Sequence, residues 1–191
     1  MAEAARLHYW DAFWDLSVED CPCDVHFVAW LDANRIADAA IYHFGTGNHH
    51  HVGIECAKPE RRNAVLGITA SPQEYESFVQ LVMRRPEVLR FYNVVFGDIY
   101  LTNAKLLPVF DVVSLFHLCE YRGDRADSEG ATDLEVTQLF TDRTRAGGHI
   151  LFYPGSFAFD NAREVIAEWE TTRDVEPVGT FETLLVYRKR G

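Results

Sequence analysis

Ala39-Ala40-Ile41-Tyr42-His43-Phe44-Gly45-Thr46-Gly47-Asn48 is a nearly continuous apolar run that breaks into a Gly-x-Gly turn. A run without apolar–polar alternation suits a strand buried on both faces, as in a parallel sheet covered by helices. The two glycines let the backbone turn tightly and approach a ligand closely. A plain tight turn would use the same residues. Five further runs have the same character: Ala64–Ile68, Phe91–Phe96, Phe110–Cys119, His149–Tyr153 and Thr183–Tyr187.

Helix-period segments lie between the runs. Ser71-Pro72-Gln73-Glu74 supplies a cap, a proline at the first helical position and a glutamate able to return to the cap. Tyr75, Phe78, Val79, Val82 and Met83 then mark one apolar face. Thr132 with Glu135 repeats the capping pattern, and Asp160 is placed to cap a helix carrying Ala162, Val165, Ile166 and Trp169. Pro177 and Gly179 are expected to end that region, and the acidic stretch Gly123–Gly130 reads as a loop. Strands alternating with helices predict an α/β fold with a mainly parallel sheet and helices on both faces. Residues 1–37 are expected to form an N-terminal helical segment, a candidate lid, ahead of an α/β domain over 38–191. Tyr9, Trp10, Phe13 and Trp14 could cover a ligand there or simply pack on the sheet.

Composition narrows the function classes. Eighteen Lys and Arg against 29 Asp and Glu give a net charge of −11. Such a field repels phosphate backbones, so nucleic acid is not an expected partner. The basic pairs Arg61–Arg62 and Arg84–Arg85 and the segment Arg188–Arg190 read as solvated element ends. No stretch approaches the ~20 apolar residues that span a bilayer. Met1 to Trp14 lacks the basic-then-apolar layout of a secretory signal. Cys21, Cys23, Cys56 and Cys119 are then expected as reduced thiols in a cytoplasmic protein.

Three more segments bear on a ligand site. Phe96-Gly97-Asp98-Ile99 puts a carboxylate at the end of the third strand. Phe110-Asp111-Val112-Val113-Ser114-Leu115 opens the fourth, with His117 and Glu120 beyond it, and Ala146-Gly147-Gly148-His149 turns into the fifth. From Asp38 onward, the order and spacing of these segments resemble class I S-adenosylmethionine-dependent methyltransferases. The resemblance implies a three-layer sandwich on a seven-stranded sheet with an antiparallel final hairpin. It implies that Gly45 and Gly47 line the cofactor loop and that Asp98 reads the adenine amino group. It implies methyl transfer to an oxygen or nitrogen of a small molecule.

The departures from that pattern are specific. His43 stands where the family has an acid, and His49 replaces the third glycine. Thr69 replaces the carboxylate that holds the ribose hydroxyls. A Thr hydroxyl offers one neutral hydrogen bond in place of two charge-assisted ones, so weaker cofactor binding is expected. A non-catalytic binding protein on the same fold is the alternative. His43 and His49–His51 crowd the loop, where they could hydrogen-bond structurally, contact the cofactor or bind a transition metal. His117 is the candidate base or substrate-orienting group, with Glu120 beside it and Tyr121, Tyr153 and Ser156 as further candidates.

Overall fold

The structure is a computed structural model that describes residues 13–191. Strands β1 (Ala40–Phe44), β2 (Ala64–Thr69), β3 (Tyr92–Phe96), β4 (Phe110–Ser114), β5 (Thr144–Phe152), β6 (Val175–Phe181) and β7 (Leu184–Lys189) form one sheet. Its order is β3-β2-β1-β4-β5-β7-β6. The first five strands are parallel, and β7 runs antiparallel to both β5 and β6. This is the three-layer α/β sandwich that the apolar runs predict.

The continuous runs follow from burial on both faces. Neighbouring residues on one strand point to opposite faces. Ile41 and Val112 pair in register and bury in one cluster, while Tyr42 and Val113 pair beside them and bury in the other. Leu151 with Val186 and Ile150 with Tyr187 repeat the division. The first cluster is covered by Phe27 and Leu31 of α1 (Cys23–Ala33), Val52 of α2 (His51–Cys56) and Phe78 of α3 (Pro72–Arg84). The second is covered by Val136 and Phe140 of α5 (Asp133–Asp142) and by Ile166 and Trp169 of α6 (Phe159–Thr172).

Several boundaries differ from expectation. The fourth strand stops at Ser114, and the chain turns through 115–119 instead of extending to Cys119. Residues Asp124–Glu129, expected as loop, form the short helix α4. Arg122 braces it by donating to Asp127 and to the carbonyls of Ala126 and Ala131. Asp160 sits in the first turn of α6, whose cap position is Ala158. Pro177 and Gly179 lie inside β6, where the register with β7 shifts between them. An edge strand tolerates a proline because its missing N–H faces away from the ladder. In the N-terminal segment, the described helix runs only from Cys23 to Ala33, and residues 13–22 are not helical.

Parallel strands leave all their carboxyl ends on one rim. Strand order reverses between β1 and β4, so the loop after Phe44 opens at the switch point where such sheets take ligands.

Candidate active site

Gly45 (φ +85°) and Gly47 (φ +55°) both adopt left-handed backbone, which explains a glycine at each position. Gly45 faces His117: a Cβ added there would lie 3.5 Å from the ring carbon Cδ2. Gly47 faces the His49 ring, into which a Cβ would run.

The histidines do not gather around one point. His43 is fully buried on β1, with Nδ1 2.7 Å from Ser114 Oγ and Nε2 3.6 Å from Asp24 Oδ1. His49 Nε2 lies 3.8 Å from Asp24 Oδ2. His50 Nδ1 pairs with the Tyr92 hydroxyl at 2.9 Å, away from that carboxylate. Asp24 thus brings a negative charge from α1 to the strand end where the sequence shows only His43. Burial alone would push its carboxyl up, but His43, His49 and His117 together hold it below the usual range.

A similar substitution occurs at the end of β2. Thr69 Oγ donates to Glu74 Oε2 at 2.6 Å and accepts from the Ser71 N–H at 3.0 Å. Glu74, on the first turn of α3, is therefore a buried carboxylate at the β2 rim, where Thr69 alone was expected. Its N–H goes to Ser71 Oγ at 3.3 Å, but its carboxylate turns to Thr69. Asp98 follows at the end of β3, buried, with Oδ1 accepting from the Tyr100 N–H at 2.9 Å.

Beyond β4, His117 Nδ1 donates to Glu120 Oε2 at 2.9 Å, and Ser156 donates to the same oxygen at 2.6 Å. Two thiols join this group. Cys21 and Cys23 Sγ lie 3.5 Å apart, and Cys23 Sγ lies 3.6 Å from Asp24 Oδ1. The Cys23 thiol beside it lowers the pKa of Cys21 to about 5, against burial and with help from His117. Burial opposes charge on His117, yet Cys21 and Glu120 push it up to about 10. Sequence reasoning missed Asp24, Glu74 and both thiols in this site. Only the Cys-x-Cys spacing was visible, and nothing in it pointed to His117.

Residues 13–22 cross this rim as a strap. The Asn48 N–H donates to the Trp14 carbonyl at 2.7 Å, and the Trp14 N–H reaches Glu74 Oε1 at 3.4 Å. The Trp14 ring meets Tyr121 edge-on with centroids 5.0 Å apart. Tyr9 and Trp10 lie outside the described residues. Two open clefts flank the sheet, the second bordered by Tyr153, whose ring centroid lies 6.3 Å from that of His117. One of about 390 Å³ lies among Ala39, Asp111 and Arg145, and one of about 310 Å³ lies beside Tyr153, Gly155 and Glu182.

The donor set nevertheless fits S-adenosylmethionine. Gly45 and Gly47 carry no side chains of their own, though the His117 and His49 rings pack against them; Glu74 with Thr69 could accept from ribose hydroxyls, and Asp98 from an adenine amino group.

This sheet order, with an antiparallel β7, is that of the class I S-adenosylmethionine-dependent methyltransferase fold. Solved structures share it at low identity. CcbJ methyltransferase from Streptomyces caelestis matches with a TM-score of 0.63 and 12% identity, over 93% of this chain and 94% of its own. N-methyltransferase NodS from Bradyrhizobium japonicum, in complex with S-adenosyl-L-homocysteine, matches with a TM-score of 0.60 and 14% identity over 91% of each chain. The [4+2]-cyclase SpnF matches with a TM-score of 0.59 and 11% identity, over 94% of this chain and 86% of its own. Its chemistry is a reminder that the fold alone does not fix the reaction. No family model matches the sequence, and no curated protein matches it.

Proposed function

We propose that this protein is an S-adenosylmethionine-dependent methyltransferase that acts on an oxygen or nitrogen of a small-molecule acceptor. The observation that carries the reading is the donor set at three successive strand ends: the Gly45–Gly47 loop, the Thr69–Glu74 pair and Asp98. Gly45 and Gly47 would hold the methionine part through backbone, Glu74 with Thr69 the ribose, and Asp98 the adenine. The bound cofactor supplies an electrophilic methyl group.

The chain's own task is to position the acceptor and keep water out, which can supply much of the rate of a bimolecular transfer. Glu120 and Ser156 fix the His117 ring over Gly45, which makes His117 the acceptor-orienting group and Glu120 its positioning residue. The strap of residues 13–22 is the lid. No large insertion interrupts the sheet, and the net charge is −11, both of which favour a small acceptor over nucleic acid. The four cysteines are free thiols, which supports a cytoplasmic setting. No helix among the described residues is long and apolar enough to cross a membrane. Coverage of the rim by Trp14 favours a second reading, ligand binding without turnover.

Calorimetric titration with S-adenosylhomocysteine tests the reading. One equivalent should bind, and Asp98→Ala should weaken it by about 1.5–3 kcal/mol, the scale of a hydrogen bond to a charged group. A folded wild-type protein that takes up none removes both readings of the cofactor site.

A further inference from the structure

Cys21, Cys23 and His117 are more than neighbours of the cofactor rim. Each brings one ligand atom within 4.8 Å of the other two, and no other such trio of His, Cys, Asp or Glu occurs among the described residues. We propose that these three side chains bind a thiophilic divalent cation of the zinc type, with a fourth position left open.

The spacing suits that ion. Tetrahedral zinc with bonds of ~2.3 Å to sulfur holds two thiolates roughly 3.8 Å apart. The two sulfurs here lie 3.5 Å apart. Pro22 between them limits the local backbone, and Cys23 is the first residue of α1, so the pair is set by an element packed into the core. A disulfide would require the sulfurs to close to ~2.05 Å across a single intervening residue.

The third ligand is oriented as histidine ligands are. Glu120 takes Nδ1 of His117, and Ser156 holds Glu120 from behind, which leaves Nε2 as the ring nitrogen to ligate. Thiolate and imidazole together select zinc-like ions over magnesium or calcium, which prefer oxygen. Three protein ligands with one open position are the pattern of a reactive zinc site, whereas structural sites close with four. The His117 ring packs against Gly45, where an added Cβ would lie 3.5 Å from its Cδ2. His43, His49 and His50, for which metal binding was one of three roles the sequence left open, are divided between Asp24, Ser114 and Tyr92.

The site stands on these contacts whether or not the methyl-transfer reading holds; with the ion bound, His117 would orient an acceptor only through the open position of the metal. Untagged protein, stripped with chelator under reducing conditions, should bind one equivalent of Co²⁺ with a sulfur-to-cobalt charge-transfer band in the near ultraviolet. Zn²⁺ should abolish the band stoichiometrically. Cys21→Ser and Cys23→Ser should each reduce it severalfold, and the double variant should lose it, while His51→Asn keeps it. A cobalt spectrum without thiolate charge transfer in the wild-type protein overturns the proposal whether or not the variants fold. So does undiminished binding by the double variant. Titrating the same stripped protein with S-adenosylhomocysteine reads the cofactor site separately.

Discussion

Glu74 is buried at the rim of the sheet, where its carboxylate accepts from the Thr69 hydroxyl and, at 3.4 Å, from the Trp14 N–H. Burial pushes its pKa up, against the pull of Thr69 and Trp14. A raised carboxyl pKa means the folded state holds the proton more tightly, so the stability it contributes at low pH is lost as pH rises through that value. Glu74→Gln keeps an acceptor for Thr69 but cannot ionise. The melting temperature of this variant should therefore fall less than that of wild type between pH 4.5 and 8. If Glu74 holds the ribose, the same change should weaken S-adenosylhomocysteine binding by about 1.5–3 kcal/mol, roughly 10- to 150-fold. Thermal scans and calorimetry on one preparation check both. This residue also marks a limit of sequence reading. Ser71-Pro72-Gln73-Glu74 announces a helix start, and the helix is there. The spacing cannot say that the carboxylate abandons its cap for Thr69, because that depends on how the turn folds back. Asp24 is still less legible, since it reaches β1 from another element.

Elements whose ends are satisfied locally were readable. Thr132 and Glu135 cap α5 reciprocally, with the Glu135 N–H on Thr132 Oγ at 3.1 Å and the Thr132 N–H on Glu135 Oε2 at 2.7 Å. Thr132→Ala should cost about 1 kcal/mol in denaturant unfolding. It should leave S-adenosylhomocysteine affinity unchanged, because α5 covers the sheet without forming the site. Elements fixed by distant partners were not readable. Helix α4 is six residues long and depends on Arg122, whose guanidinium also sits over the Tyr100 ring 4.9 Å from its centroid. The described strap is likewise held by Asn48, Glu74 and Tyr121, contacts that no local pattern encodes.

A mainly parallel sheet covered on both faces was accessible because buried strands must be apolar on both faces, and the six runs say so; the strand order and the edge strand β6, which none of the runs includes, were not. The site was accessible only in part, because its charges come from helices that the topology later brings to the rim. One of its neighbours contributes to the acid response of the molecule. His50 is buried against Tyr92 and Phe78, and burial first, then the charge of His49, lowers its pKa to about 4. Its unfolded value is near 6.5. Between these values the unfolded chain takes up a proton that the folded chain refuses, so stability falls as pH drops. The loss attributable to this ring is on the order of 2–3 kcal/mol between pH 7 and pH 4. Asn tolerates the left-handed backbone at this position (φ +50°) and cannot titrate. His50→Asn should therefore flatten the fall in melting temperature over that range, and a curve parallel to wild type would assign the acid response elsewhere.

Pro177 has a consequence outside the molecule. Any outer strand offers unpaired amides and carbonyls to another chain, and a regular one can template intermolecular pairing. On β6 the proline withholds an N–H, and the irregularity between Pro177 and Gly179 interrupts the repeat that an incoming strand would need. Pro177→Val restores both the donor and a β-branched side chain. It should increase self-association in concentrated solution, measured as a rise in light scattering over time at constant net charge, while the melting temperature at low concentration changes little. The residue that reads as a terminator in the sequence is then a guard against aggregation along that side of the sheet.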